Sequence, residues 1–180
     1  MAFEPQPHLK GDLLELRPLV PADWDALYAV ASDPLIWAQH PVSDRWREPM
    51  FRTFFDEALA SGGALVARDR VDGRVIGSSR FHGHDPVRDE VEIGWTFLAR
   101  ERWGGAYNGE MKRLMLDHAF RFVSSVVFLI GPENWRSQRA VGKIGARLEG
   151  RTERGGRPSL VFRLRAADWA RRPAAAAAAE

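Results

Sequence analysis

The chain has 180 residues, of which 45% are hydrophobic, and this length and composition predict one self-sufficient domain rather than a disordered segment. A formal net charge of +2 gives no basis for nucleic-acid binding, and the absence of cysteine excludes disulfides, thiolate metal sites and a cysteine nucleophile. No apolar run approaches the ~20 residues of a membrane span and the N-terminus lacks a signal-peptide core, so we expect a soluble cytoplasmic protein without a membrane or nucleic-acid partner.

The first half of the chain predicts a strand, two helices and a hairpin. Prolines stop the strand, apolar residues at helical spacing mark the helices, and Asp72-Gly73 is a hairpin turn signal. The predicted elements are a strand over residues 13–19, helices over 24–31 and 50–61, a loop over 33–49 between them, and a hairpin of strands 64–69 and 74–81.

The stretch over residues 90–108 predicts a strand, a glycine turn and the start of a helix. Apolar side chains alternate along the strand, and we expect them on one face: Val91, Ile93, Trp95 and Phe97. Gly104-Gly105 lets the backbone approach a ligand and leaves free N–H groups at the start of the helix, which attract anions and phosphates in particular. A plain strand-to-helix turn is the alternative interpretation.

The second half predicts a crossover and a final hairpin. Residues 125–130 are apolar on both faces, as in a central parallel strand, and the helix before them makes the crossover. Asn134 is a good N-cap for a short helix that Gly145 closes, and strands follow over 146–152 and 159–164. We expect one domain over residues 1–168 and an alanine-rich tail over 169–180 that packs on nothing.

The order of these elements, the WGGAYN turn after EIGWTFL and the later NWRSQRAVGKIGA together resemble the GNAT superfamily of acyl-CoA-dependent N-acyltransferases. Within it, the chain most resembles enzymes that acetylate ribosomal-protein N-termini, over residues 13–164. The resemblance implies an α+β fold: an α/β/α sandwich with a mixed, mostly antiparallel, seven-stranded sheet. It also implies that the parallel strands ending near Leu98 and Ile130 splay apart, with acyl-CoA lying in the gap.

The resemblance further implies acetyl-CoA as cosubstrate and a primary amine as acceptor, on a protein N-terminus or a small molecule; succinyl-CoA as donor and a homodimer stay open. The family's pyrophosphate loop has the pattern Gln or Arg, two residues, Gly, one residue, and then Gly or Ala. At the three specified positions this chain has Trp103, Ala106 and Asn108. We expect the loop to bind the pyrophosphate despite this departure from the pattern, because an alanine methyl is tolerated in a helical backbone. The residues implied to bind the cosubstrate are Phe97, Leu98, Arg102, Trp103, Gly104, Gly105, Ala106, Tyr107, Asn108, Asn134, Ser137 and Lys143.

Two residues are the candidates for chemistry, and no metal is implied. In relatives a carboxylate near Glu92 deprotonates the incoming ammonium, because a protonated amine cannot attack a thioester. A structural ion pair with an arginine is the alternative role for Glu92, and Glu90 and His82 compete as bases. The family pattern N-x-x-S-x-x-x-x-x-K matches Ser137, which the resemblance implies as the acid for the leaving thiolate; capping or back-bonding within the helix is its alternative role.

Other functions remain open at this point. The altered glycine pattern favours a CoA-binding or regulatory module that has lost catalysis. An RNA or ribosome partner predicts salt-sensitive binding to nucleic acid without CoA.

Overall fold

The computed structural model describes residues 2–172, and its elements follow the order that the sequence predicts. The strands are β1 (Leu9–Lys10), β2 (Leu14–Pro18), β3 (Ala64–Asp69), β4 (Val75–Asp85), β5 (Glu90–Leu98), β6 (Ser125–Ile130), β7 (Arg147–Arg154) and β8 (Arg157–Arg165). The helices are α1 (Trp24–Ala31), α2 (Pro34–Trp37), α3 (Glu48–Ala60), α4 (Ala106–Ala119), α5 (Trp135–Lys143) and α6 (Ala166–Ala170).

The strands form one mixed sheet in the order β1-β2-β3-β4-β5-β6-β8-β7. Neighbouring strands are antiparallel except β5 and β6, which are parallel and joined by α4 as the crossover. This confirms the predicted mixed, mostly antiparallel sheet. The sheet has one strand more than expected, because β1 pairs with β2 over two residues, too few for a periodic pattern in the sequence.

Helices cover both faces of the sheet, and each face has its own apolar core. Leu65 of β3 packs in the first core with Met111 and Met115 of α4, whereas Val66, its neighbour in the strand, packs in the second with Phe51 of α3. This alternation is typical of a strand with both faces buried. None of the helices in residues 2–172 has both the length and the apolarity needed to cross a membrane.

A bulge in β5 changes which side chains share a face. Trp95 has a φ of 52°, and the register with β4 shifts next to it, so that two residues of β5 lie opposite one of β4. Val91 and Ile93 belong to the first core, whereas Phe97 belongs to the second and Trp95 packs against it. The expectation that all four lie on one face is therefore wrong, because simple alternation does not survive an inserted residue.

Two segments differ from their predicted state. The predicted loop over residues 33–49 contains α2, whose N-cap Asp33 accepts a hydrogen bond from the Leu35 N–H at 3.0 Å, and it ends with the first turn of α3. The predicted tail begins within α6, where Trp169 donates to Asp117 at 2.8 Å and packs against the first core. The rest of the predicted tail, from residue 173, lies outside the described residues.

Candidate active site

β5 and β6 pair over a short stretch and then separate. Their parallel pairing ends at Glu92 and Val127, although β5 continues to Leu98 and β6 to Ile130. The bulge at Trp95 lies just after the last pair and turns β5 away from its parallel neighbour. The splay that the resemblance implied is therefore present, and its open end faces the glycine turn.

The turn between β5 and α4 presents open backbone at this end of the gap. Gly104 has a φ of 70°, a left-handed conformation that favours glycine, and Gly105 is the N-cap of α4, without a side chain capping the helix. A methyl group added to either glycine would meet no atom within 4 Å. The first amides of α4 are therefore accessible to an anion such as a phosphate.

A buried carboxylate at the end of β3 anchors this turn. The Asp69 side chain is fully buried and forms an ion pair with Arg102, with 2.9 Å between nitrogen and oxygen. It also accepts hydrogen bonds from the Tyr107 hydroxyl at 2.8 Å and from the Val71 N–H at 2.8 Å. The hydrogen bond to Asp69 raises the pKa of Tyr107. Arg102 and Tyr107, both predicted to bind the cosubstrate, thus point their polar atoms at Asp69. The sequence offered no signal for Asp69, which is an ordinary charged residue at a strand end.

Trp103 and Arg136 meet across the mouth of the gap. The Trp103 indole N–H donates to the Leu98 carbonyl at 2.9 Å, and the Arg136 guanidinium carbon lies 4.1 Å from the Trp103 ring centroid. Arg136 also donates to the Ile36 carbonyl at 2.6 Å, while its backbone N–H donates to Gln39 at 3.0 Å. These contacts join the turn after β5 to the start of α5, which follows β6.

The start of α5 lies across the gap from the glycine turn. Asn134 is buried and its side-chain oxygen accepts from the Ser137 N–H at 3.2 Å, which confirms the predicted N-cap. Ser137 is half-buried, and its hydroxyl makes no hydrogen bond to any residue within 2–172. Lys143 is exposed at the far end of α5.

The remaining predicted cosubstrate residues lie around the glycine turn. Phe97 is buried among the aromatic rings of the second core, and Leu98 is buried in the first. Ala106 begins α4 and Asn108 lies in its first turn, both half-buried. The fold therefore brings residues 97–108 together on one side of the gap and Asn134 and Ser137 on the other.

Glu92 is the last residue of β5 that pairs with β6, and it is 5% exposed. Both of its carboxylate oxygens accept hydrogen bonds from Arg154 at the end of β7, one of them at 2.7 Å. Arg154 also stacks on Trp95, with its guanidinium carbon 4.7 Å from the ring centroid. The ion pair that the sequence analysis named as the alternative role of Glu92 is therefore present. Arg154 lies in the final hairpin, where no pattern distinguished it.

The two competing bases lie near Glu92. Glu90 is paired with Arg163, and Arg88 lies 3.8 Å away. His82 pairs with Glu92 across the β4–β5 ladder and is exposed, with its ring centroid 5.1 Å from that of Trp95. Proximity alone does not choose among the three candidates.

A buried lysine lies on the opposite face of the sheet. Lys112 of α4 is 5% exposed, and its ammonium donates to the Thr96 hydroxyl at 2.7 Å; that hydroxyl lies 2.8 Å from the Ser79 hydroxyl. Burial lowers the pKa of Lys112 to about 7. Sequence reasoning missed Lys112 because it adjoins the apolar stripe of α4, where a solvated lysine gives the same pattern.

A surface depression lies elsewhere. It has a volume of about 730 Å³ and is found where β5 and β6 are still paired, lined by residues such as Arg88, Glu90 and Arg163. Arg163 is already bound to Glu90 and Glu149. We place the candidate site at the splayed end, because there the backbone groups remain accessible.

Comparison with known proteins identifies the family. A family model described as an acetyltransferase (GNAT) domain matches residues 14–147. A search of curated proteins finds no significant match.

Solved structures share the fold at low sequence identity. A GCN5-related N-acetyltransferase from Brucella melitensis is 21% identical with a TM-score of 0.80, over 92% of this chain and 81% of that one. An acetyltransferase from Agrobacterium tumefaciens is 27% identical with a TM-score of 0.69, over 88% of this chain and 94% of that one. Mycobacterium smegmatis RimJ, solved in complex with CoA-disulfide, is 21% identical with a TM-score of 0.67, over 95% of this chain and 90% of that one. The chain belongs to the GNAT acetyltransferase family, and it is an acyltransferase of the kind that uses acetyl-CoA as cosubstrate.

Proposed function

We propose that the protein is an N-acetyltransferase that moves the acetyl group of acetyl-CoA directly to a primary amine, of a protein N-terminus or a small molecule, in a ternary complex. The observation that carries this proposal is the separation of β5 and β6 after Glu92 and Val127, with the open start of α4 at the end of the gap. Such a gap admits an extended pantetheine arm between two strand edges, and the helix start receives the pyrophosphate.

The cosubstrate is held from both sides of the gap. The amides of Gly104, Gly105 and Ala106 bind the pyrophosphate, because Gly104 and Gly105 leave open space beside the backbone. Asn134 and Ser137, across the gap, bind the pantetheine arm near the thioester. Arg136 moves off Trp103 to admit the nucleotide end, which breaks its hydrogen bond to the Ile36 carbonyl.

Glu92 is the general base in this mechanism. Each carboxylate oxygen has two lone pairs, so Arg154 holds the group in place and leaves one lone pair of each oxygen for the ammonium of the acceptor. Loss of a proton to Glu92 frees the amine lone pair, which attacks the thioester carbonyl carbon and forms the C–N bond.

The intermediate then collapses with loss of CoA. A backbone N–H near the bulge in β5 donates to the oxyanion, and the C–S bond breaks as the Ser137 hydroxyl donates its proton to the leaving sulfur. The nitrogen of the new amide returns a proton to Ser137, so the serine ends as it began. Most of the rate arises from holding amine and thioester together in the gap.

The base role is tested by CoA release from acetyl-CoA with a library of amines at pH 6 to 9. We expect Glu92→Gln to lower turnover by about 100-fold, the lower end of the range for general base catalysis. Glu149→Gln, which alters a carboxylate paired with Arg163 and Arg165, is the control that keeps full activity. Unchanged turnover of Glu92→Gln across the pH range removes Glu92 from the role, and a loss in Glu90→Gln assigns it to Glu90.

The acid role of Ser137 has its own test. Ser137→Ala removes the hydroxyl but keeps the N–H that Asn134 binds, so the helix cap stays intact. We expect slower turnover with acetyl-CoA and a smaller loss with a thioester whose leaving thiol is more acidic, since that leaving group needs less protonation. Equal rates for both proteins with both thioesters leave Ser137 a structural residue. CoA binding by calorimetry without turnover on any amine favours a non-catalytic module instead.

A further inference from the structure

Arg80 is a buried cation without a partner beside the bulge. It lies in β4, opposite Gly94 of β5, and is 4% exposed. Its Nε and Nη2 atoms are buried and make no hydrogen bond within residues 2–172. An unpaired charged group in a protein interior is unfavourable, because it has lost its hydration without gaining a hydrogen-bonded partner.

The two unpaired atoms of Arg80 form one edge of its guanidinium group. On that edge the Nε and Nη2 N–H bonds point the same way, which is the fork that binds both oxygens of a carboxylate. Glu92 is close by, but it accepts its side-chain hydrogen bonds from Arg154 and none from the Nε or Nη2 of Arg80. The fork of Arg80 is therefore left for a carboxylate that the chain itself does not supply.

Aromatic rings form the walls around this group. The guanidinium carbon of Arg80 lies 4.5 Å from the Trp95 ring centroid and 5.7 Å from that of Phe54. A second arginine, Arg45, lies 4.7 Å from the same Phe54 ring and forms no ion pair with any residue in 2–172. Two arginines without carboxylate partners thus share one aromatic ring next to the gap.

The electrostatics of this region favour an anion. Burial lowers the pKa of Arg80 and of Arg45 to about 10, and Glu57 is the strongest opposing influence on each. Burial, followed by the charge of Arg45, lowers the pKa of His40 to about 3, so His40 stays neutral near neutral pH. The contact between Arg45 and His40, at 3.2 Å, therefore adds no negative charge.

We propose that Arg80, supported by Arg45, binds a carboxylate group of the substrate beside the bulge in β5. The inference rests on the proposed acyl transfer from CoA to an amine, because only that reaction brings a substrate to this point. Arg80 lies opposite Gly94, two residues from Glu92, so the carboxylate belongs to one of the two reacting molecules. It is carried either by the acceptor amine, as in an amino acid, or by the acyl group, as in succinyl-CoA.

A binding experiment tests the carboxylate site without turnover. Succinate and the neutral succinamide are titrated by calorimetry into the wild type, Arg80→Met and Arg74→Met, the last changing an exposed arginine of the β3–β4 turn as control. We expect succinate, but not succinamide, to bind the wild type and Arg74→Met, with about 10- to 100-fold weaker binding to Arg80→Met, the loss for a charge-assisted hydrogen bond. Equal succinate binding by Arg80→Met, or none by the wild type, overturns the proposal.

A kinetic experiment identifies the molecule that carries the carboxylate. CoA release is first measured with acetyl-CoA as the donor and either amino acids or their amides as acceptors. It is then measured with the amides as acceptors and either succinyl-CoA or acetyl-CoA as the donor. A selective loss on amino acids in Arg80→Met places the carboxylate on the acceptor, and a selective loss with succinyl-CoA places it on the acyl group. If Arg80→Met prefers the same acceptors and the same acyl donors as the wild type, the proposal is overturned. Absence of CoA release in every combination counts against the transferase, and the binding experiment then decides the carboxylate site.

The stability of Arg80→Met distinguishes a binding role from a packing role. If Arg80 only packs on Trp95, its removal lowers the melting temperature. If it is an unpaired cation kept for a ligand, methionine fills the apolar space and the melting temperature stays the same or rises. A lowered melting temperature together with undiminished succinate binding overturns the proposal.

Discussion

Two arginines near the gap, Arg102 and Arg80, differ in how their charge is matched. Arg102, under the glycine turn, forms an ion pair with the buried Asp69 at 2.9 Å, although its Nε has no hydrogen-bond partner in the described part of the chain. Arg80, beside the bulge, has no carboxylate partner, and its Nε and Nη2 make no hydrogen bond in the described part of the chain. The ion pair of Arg102 holds the turn that we propose to bind the cosubstrate, and the unpaired Arg80 is the group that we propose to bind a substrate carboxylate. On this proposal, the same residue type serves architecture in one place and recognition in the other.

The largest effect is expected from removing the carboxylate that matches Arg102. Asp69→Ala leaves the Arg102 guanidinium and the Tyr107 hydroxyl without their shared acceptor. We expect the free energy of unfolding to fall by about 3–5 kcal/mol, as for other buried pairs that lose one partner. Denaturant unfolding measures this change, and calorimetry should show weaker CoA binding by the protein that remains folded.

Glu15→Ala is the matched control for this change. Glu15 lies on the neighbouring strand β2 and pairs with Arg68 at 3.1 Å, but both side chains are more than a third exposed. Such surface pairs contribute at most about 1 kcal/mol. A loss in Asp69→Ala no greater than that in Glu15→Ala would mean that the buried pair does not anchor the turn.

The second test removes an unmatched cation. The pKa of Lys112 is lowered to about 7 by burial, from an ordinary value of 10.5. Between these values the unfolded chain binds a proton that the folded protein does not, so the free energy of unfolding rises with pH. From pH 7 to 9 this gain amounts to about 2 kcal/mol. Lys112→Met should lose the gain and be more stable than the wild type near pH 7.

Denaturant unfolding at pH 7, 8 and 9 measures this slope. The window stops below the pKa of about 10 of Arg45 and Arg80, so those groups do not contribute. Lys143→Met changes an exposed lysine and should keep the slope of the wild type. Parallel curves for wild type and Lys112→Met would show that Lys112 stays protonated in the folded protein.

The matched and unmatched charges also show where sequence reasoning stops. The order of the elements was predictable from apolar periodicity, and the splay and the mixed sheet were predictable through the family resemblance that two motifs carry. The partners of Asp69 and Glu92 were not, because each pairing joins residues far apart in the chain: Asp69 with Arg102, and Glu92 with Arg154. Spacing along one strand carries no information about such contacts.

The bulge at Trp95 is the second limit. Its positive φ exchanges the faces of Trp95 and Phe97 relative to Ile93, and alternation predicts the opposite arrangement. A non-glycine residue in that conformation is strained, and such strain is common at functional sites. Gly94 is a signal in this segment, because a glycine inside a strand often marks a bulge, but it does not show that Trp95 adopts the positive φ.

The smallest expected change in the free energy of unfolding comes from the glycine turn near Arg102, where the substitution changes backbone conformation and not charge. Gly104 has a φ of 70° and Gly105 one of −115°, and a methyl group at either position meets nothing within 4 Å. Gly104→Ala should lower the free energy of unfolding by about 1–2 kcal/mol, because an L-residue is strained in the left-handed region. Gly105→Ala should leave it unchanged, so denaturant unfolding of the pair isolates the strain. If both variants lose stability equally, conformational strain is not what selects Gly104. If Gly104→Ala alone is destabilised and also binds CoA more weakly by calorimetry, the turn that Asp69 anchors grips the cosubstrate through its backbone shape.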